Sequence, residues 1–151
     1  MGKALTAVSA LLVFFFAVFG AVVYFTRDED TYAVDAALSE RISRAVAEAE
    51  ENDVQVDLRD LTDFDFDQVL IFDPRTPRDA ISAQLGFEFK GELRYDAESS
   101  EFFVFTNRGA FVRFADYRGR GRFEGLEDPF TVLDANDAVF AVRDGVARPA
   151  G

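Results

Sequence analysis

The polar and apolar residues of this chain alternate with different periods in successive stretches, and each period predicts an element. Between Ala4 and Phe25 no residue is charged, and most are Leu, Val, Phe or Ala. A helix rises 1.5 Å per residue, so these 22 residues can cross a hydrocarbon core of roughly 30 Å. A cleaved secretory signal has a shorter apolar region, about 7–15 residues, closed by a small-x-small site. The best such site here, Val18-Phe19-Gly20, starts on a bulky residue and is followed by more apolar chain. Residues 1–27 are therefore expected to be a retained signal anchor, and 28–151 a separate domain. Lys3 and the amino terminus precede the span, which predicts a cytoplasmic N-terminus and an extracytoplasmic domain in the cell membrane.

After the span the period changes to that of an amphipathic helix. From Ala33 to Glu51 the apolar residues Val34, Leu38, Ile42, Ala45, Val46 and Ala49 recur at steps of three and four. The stripe lasts under three heptads, so packing on the domain's own sheet is favoured over a coiled-coil seam. Val54, Val56 and Leu58 then alternate with polar residues as a half-buried strand does. In Asp63-Phe64-Asp65-Phe66-Asp67 an extended chain turns both rings one way and the three carboxylates the other. Val69-Leu70-Ile71-Phe72 has two apolar faces and predicts an interior strand, ended by Asp73-Pro74. Thr76 is expected to cap a short helix with Pro77 in its first turn, an inner face of Ala80, Ile81 and Leu85, and a stop at Gly86.

Strict alternation over Phe87-Phe89-Gly91-Leu93-Tyr95 predicts a strand, with Glu88, Lys90, Glu92 and Arg94 on the solvent side. Residues 101–105 and 110–114 flank Thr106-Asn107-Arg108-Gly109, a hairpin loop suited to positive φ. Two short strands, 130–133 and 138–143, precede the Asp144-Gly145 turn and a polar end. The sum is an α+β domain: an antiparallel sheet with one long and one short helix on one face.

Composition narrows the chemistry. The chain has no cysteine and no histidine, which removes disulfides, thiolate sites, a cysteine nucleophile and the commonest general base. All 28 acids lie after Arg27, with 14 bases beside them, so residues 28–151 carry a formal charge of −14. Such a surface opposes nucleic acid and anionic lipid. Three clusters are candidates for sites. Asp63, Asp65 and Asp67 offer the oxygen ligands calcium takes, but Gln68 and Pro74 stand where the calcium-loop signature needs Gly and Glu, so an exposed acidic face is favoured. Arg108, Arg113, Arg118, Arg120 and Arg122 interleave with aromatic residues and form a candidate protein-binding surface, nucleic acid being disfavoured by the charge. Ser39, Ser43, Ser82, Ser99 and Ser100 have no histidine to activate them, and no pair of carboxylates stands out for glycoside hydrolysis. No catalytic set and no cofactor is expected, and the protein is read as a non-enzyme.

The string Leu58-Arg59-Asp60-Leu61-Thr62, then Phe66-Asp67-x-Val69-x-Ile71-Phe72-x-Pro74-x-Thr76, then Ile81 and Leu85-Gly86 resembles an uncharacterised group of small bacterial lipoproteins and membrane-anchored proteins. Phe103-Val104-Phe105-Thr106-Asn107-Arg108-Gly109 is similar to a strand and turn of the same group, so the likeness spans about residues 56–114. Phe66 stands where the group has Trp, Leu70 and Arg75 where it has Tyr, and there is no lipid-accepting cysteine. A looser likeness, in the spacing of Thr76, Ile81 and Gly86, is to the small lipoprotein of the outer-membrane barrel assembly machinery and to β-lactamase inhibitor proteins. These resemblances imply an envelope location and an α+β domain, and no activity. The expectation is an accessory or assembly subunit acting through protein contacts at the membrane, or else a free-standing envelope module binding a small ligand, ion or peptide.

Overall fold

The structure, a computed structural model, describes residues 33–91, 101–127 and 129–150. The expected anchor, residues 1–27, lies outside them, and among the described residues no helix is long and apolar enough to cross a membrane. The rest is an α+β fold with mainly antiparallel sheets. Its elements are α1 (Ala36–Asn52), β1 (Gln55–Asp57), the one-turn α2 (Leu58–Leu61), β2 (Gln68–Phe72), α3 (Arg78–Leu85), β3 (Phe102–Asn107), β4 (Ala110–Asp116), β5 (Arg122–Phe123), β6 (Phe130–Asp134), β7 (Val139–Arg143) and β8 (Val146–Pro149).

Eight strands form two four-stranded sheets, β4-β3-β2-β6 and β1-β7-β8-β5, where one sheet was expected. Among the described strands only β5 and β8 pair in parallel. The first sheet is apolar on both faces, and that dictates the layering. Val69 and Ile71 of β2 join Phe103 and Phe105 of β3 in a core shared with α1 and the second sheet. Leu70, Phe72, Phe102, Val104 and Phe114 turn the other way, onto a second core with Ile81 of α3 and Phe89. Successive residues of a strand point to opposite faces, so α1 and α3 cover opposite faces of this sheet. The expectation of both helices on one face is corrected by the apolar run 69–72, which needs cover on two sides.

Helix α1 forms as its stripe predicts: Leu38, Ile42, Val46 and Ala49 are buried. The Asp35 carboxylate caps it by accepting from Leu38 N–H at 2.9 Å. Strand β2 lies between β3 and β6, with Val69 to Phe72 all buried. The β3–β4 hairpin closes through Arg108 and Gly109, both at positive φ (53° and 74°), as a two-residue turn of the twist-matched kind.

Five local expectations fail, each for a stated reason. Leu58 leaves the first strand to begin α2, because Asp57 caps that turn through Arg59 N–H, and Val54 is left 52% exposed. Residues 63–67 are not a strand, although the alternation holds in burial: the acids are exposed and Phe64 and Phe66 pack edge-on against Phe105. Thr76 does not cap α3. Its hydroxyl donates to the Pro129 carbonyl at 3.0 Å, Pro77 takes the cap position, and Ala80 is exposed. Residues 87–91 are not a strand either, since Ser82 Oγ accepts from Phe89 N–H and the Gly91 carbonyl accepts from Arg78, which takes up backbone groups a ladder would use. Residues 92–95 lie outside the described set. The polar end after Asp144-Gly145 is strand β8, antiparallel to β7 and carrying the buried Val146 and Ala147.

Candidate functional site

The predicted acidic row does not assemble into a cation cage. Asp67 is committed to the turn, accepting from Arg108 N–H at 2.6 Å, while Asp63 and Asp65 edge a depression of about 350 Å³ shared with Arg59, Thr62, Phe64 and Phe66. Among the described residues no group of three or more metal-ligating side chains is placed to hold an ion.

The five arginines are not brought together. Strand β4 is seven residues long, about 20 Å at the rise of an extended chain, and Arg108 sits at the opposite end of it from Arg118, Arg120 and Arg122. Most of the set is tied to the domain's own acids. Arg113 lies 3.7 Å from Asp35 with its guanidinium 5.8 Å from the Phe64 ring centre, Arg118 is 2.8 Å from Asp116, and Arg122 is 2.7 Å from Glu124. The Arg-Gly-Arg-Gly-Arg run is a strap across Tyr117, whose hydroxyl accepts from Gly121 N–H at 3.1 Å. A Cβ at position 119 would lie 2.2 Å from that hydroxyl, and one at 121 would lie 2.7 Å from the Gly145 carbonyl. Close packing therefore accounts for both glycines without a ligand. Beside the strap a groove of about 540 Å³ is walled by Glu40, Arg44, Glu50 and Glu51 of α1.

Of the predicted serines, Ser39 and Ser43 have a structural task. Ser39 Oγ donates to Asp116 Oδ1 at 2.7 Å and accepts from Asp116 N–H, and Ser43 Oγ accepts from Arg118 N–H. Asp35 N–H donates to the Phe114 carbonyl. Together they satisfy the outer edge of β4 at its C-terminal end.

The site that sequence reading missed centres on Glu101. It precedes β3 on the parity of Phe103 and Phe105, and so turns inward with them. It is 8% exposed. Oε1 accepts a long bond, 3.4 Å, from Phe123 N–H, and Oε2 has no hydrogen-bond partner among the described residues. Burial, and to a lesser degree the charge of Asp73, push its carboxyl above the ordinary glutamate range. Glu101 forms part of the wall of a cleft of about 500 Å³ with Ile71, Phe123 and Leu126 as its apolar lining and Asp73, Arg75, Glu124 and Glu127 around it. Two of these carboxylates are already engaged. Asp73 is held below the usual range by hydrogen bonds and charge from Arg75, and Glu124 likewise by Arg148 and Arg122. An inward-parity acid in the string Glu-Phe-Phe-Val-Phe was the one signal that could have found the site.

No protein-family model, curated protein or solved structure matches this chain.

Proposed function

We propose that the protein is held in the cell membrane by residues 4–25, N-terminus cytoplasmic, and that its extracytoplasmic α+β domain serves as an accessory or assembly subunit through protein contacts. The observation that carries this reading is the uncharged 22-residue run beside a domain of formal charge −14, which a bilayer and an aqueous face would each favour. The likeness of residues 56–114 to small envelope lipoproteins supports the location.

The two edges of the β4-β3-β2-β6 sheet suggest where a partner adds. At the β4 edge, the C-terminal end of the strand is taken up by the start of α1, Phe114 bonding to Asp35 and Asp116 to Ser39. At the β6 edge, Ala135 N–H donates to Asp67 and Asp73 N–H to Pro129, which puts Phe130, Val132 and Asp134 in the non-bonded positions of the ladder. Their backbone groups turn away from β2, and no strand among the described residues pairs with them. Val132 is 40% exposed. An extended segment of a membrane-complex partner fits such an edge by strand addition. Purification of the full-length chain from mild detergent should yield a stoichiometric partner, and Val132→Pro, which removes one outward N–H and spares the β2 ladder, should release it. A lone monomer overturns the reading.

The second reading, a free-standing envelope module for a small ligand, is favoured by one observation, the cleft with the unpartnered Glu101 oxygen.

A further inference from the structure

We infer that the Glu101 cleft is a binding site for an aliphatic ammonium group, with Glu101 as its counter-ion. The acceptor inventory of the cleft singles out this residue. Asp73 is bonded to Arg75 at 3.0 Å, and Glu124 is shared between Arg122 and Arg148. Glu127 N–H donates to Thr131 Oγ1, and its exposed side chain has no ion pair among the described residues. Glu101 alone combines burial with an unspent oxygen, and a buried carboxyl oxygen without a donor costs roughly 1–3 kcal/mol. An N–H donor entering the cleft relieves that cost. A cation is favoured over a neutral donor because a charge-assisted bond to a carboxyl is the stronger one, and because Asp73 and Glu124 are matched by Arg75, Arg122 and Arg148 while Glu127 has no ion pair among the described residues. Ile71, Phe123 and Leu126 supply the apolar lining that a hydrocarbon stem requires. The last torsion of a glutamate is soft and roughly two-fold, so the carboxyl can turn either oxygen to the cleft.

The proton balance follows. Burial raises the Glu101 pKa in the free protein and an ammonium ion beside it lowers it, so at a pH between the two values binding releases a proton from Glu101 to solvent, while the amine keeps its own. The groups that face Glu101 and enter this balance are Asp73, Arg75, Glu124 and Glu127 around the cleft and Tyr117 behind it. Two sources present the same chemistry: a free aliphatic amine or diamine, and a lysine side chain of a bound peptide. This inference rests on the second reading above and is independent of the β6 edge.

The test titrates the full-length chain with n-butylamine, 1,5-diaminopentane and an uncharged-flank peptide carrying one lysine, by calorimetry in two buffers of different ionisation heat. The expected result is saturable binding of at least one probe with net proton release, weakened at least ten-fold in Glu101→Gln, which keeps the side chain's shape and the bond from Phe123. Preference for the small amines or for the peptide identifies the source. In the wild-type chain the Glu101 carboxyl carbon resonance should move on saturation, a reading that needs no variant to fold. Absence of binding by all three probes, equal binding by Glu101→Gln, or a stationary Glu101 resonance overturns the inference and leaves Oε2 to a buried water. A protein that ignores amines and still co-purifies with a partner fails here while the assembly reading stands.

Discussion

Glu101 and Asp116 occupy the same end of the β3–β4 hairpin, where Asp116 pairs in register with Phe102 and Tyr117 N–H donates to the Glu101 carbonyl, yet the two carboxylates are provided for in opposite ways. Asp116 is 4% exposed and receives three side-chain hydrogen bonds: one from Ser39 Oγ–H at 2.7 Å and one on each oxygen from Arg118 Nε. Glu101 has only backbone amides near its carboxyl, Phe123 N–H at a long 3.4 Å and its own N–H, and Oε2 has no hydrogen-bond partner among the described residues. Similar burial thus coexists with two charge environments. A carboxylate with a guanidinium and a hydroxyl is a structural tie. One stripped of donors is strained while the site is empty, and such strain concentrates at places meant to bind. The comparison is what separates an ornamental acid from a candidate site in a chain that has 28 of them.

The largest way to break the comparison is to remove the tie. Asp116→Ala leaves Arg118 half-exposed and able to find water, and Ser39 Oγ–H can fall back on the Asp35 carbonyl, but the long-range tie between α1 and β4 is lost and a gap opens between them. The expected loss of unfolding free energy is about 3 kcal/mol, in the range for breaking a buried hydrogen-bonded pair, read from the urea midpoint. A loss under about 1 kcal/mol means Asp116 is no better held than Glu101.

Ser39→Ala sharpens the point by removing the hydroxyl and keeping the charge. The buried Asp116 N–H then lacks its acceptor, since β4 faces α1 there and not another strand. The expected cost is about 1–2 kcal/mol, with amide exchange at Asp116 accelerated and exchange at the β2–β3 ladder much less changed. Unaltered protection at Asp116 removes the serine from its role as an edge cap.

How much of this was legible depends on how far apart the partners lie in sequence. The α1 stripe, the 69–72 run and the Arg108-Gly109 turn are set by neighbours within a few residues, and they form as read. Residues 87–91 carried the strongest alternation in the chain, and burial obeys it, with Phe89 buried and Glu88 and Lys90 exposed. Alternation reports which side of a chain is covered, and not whether its amides find another strand. Here they find Ser82 and Arg78, a pairing that no period encodes. Strand β8 was missed because its four residues end in Arg-Pro and their burial comes from β7 and the parallel β5. The serines of α1 read as idle nucleophiles because their partners, Asp116 and Arg118, lie 77 and 75 residues away. Glu101 was readable in principle, since inward parity beside Phe103 and Phe105 is a local fact. The absence of a donor for Oε2 is a property of the assembled cleft and was not.

The smallest expected effect has the opposite sign and tests the other half of the comparison. Glu101→Gln replaces an acid whose ionised form is penalised by burial with a neutral side chain of the same shape, and its amide can donate where the carboxylate cannot. A carboxyl whose folded pKa is raised binds more protons in the native than in the unfolded state. Its contribution to stability is full below the unfolded value, near 4.5, and falls as pH rises through the raised folded value. The variant lacks that loss. Glu101→Gln is therefore expected to be more stable than wild type at pH 7 by about 1 kcal/mol, with the advantage fading as pH approaches 4.5. The Arg-paired acids Asp57, Asp73 and Glu124 have lowered pKa values, so their contributions are present above the ordinary carboxylate range and are lost on acidification below it. They titrate alike in both proteins and cancel in the difference, which isolates Glu101 in paired melts from pH 4 to 8. A variant less stable than wild type at pH 7, or a difference independent of pH, shows that Glu101 already has a donor in the empty protein; the two carboxylates then differ in degree only, and the cleft loses its claim to a cation.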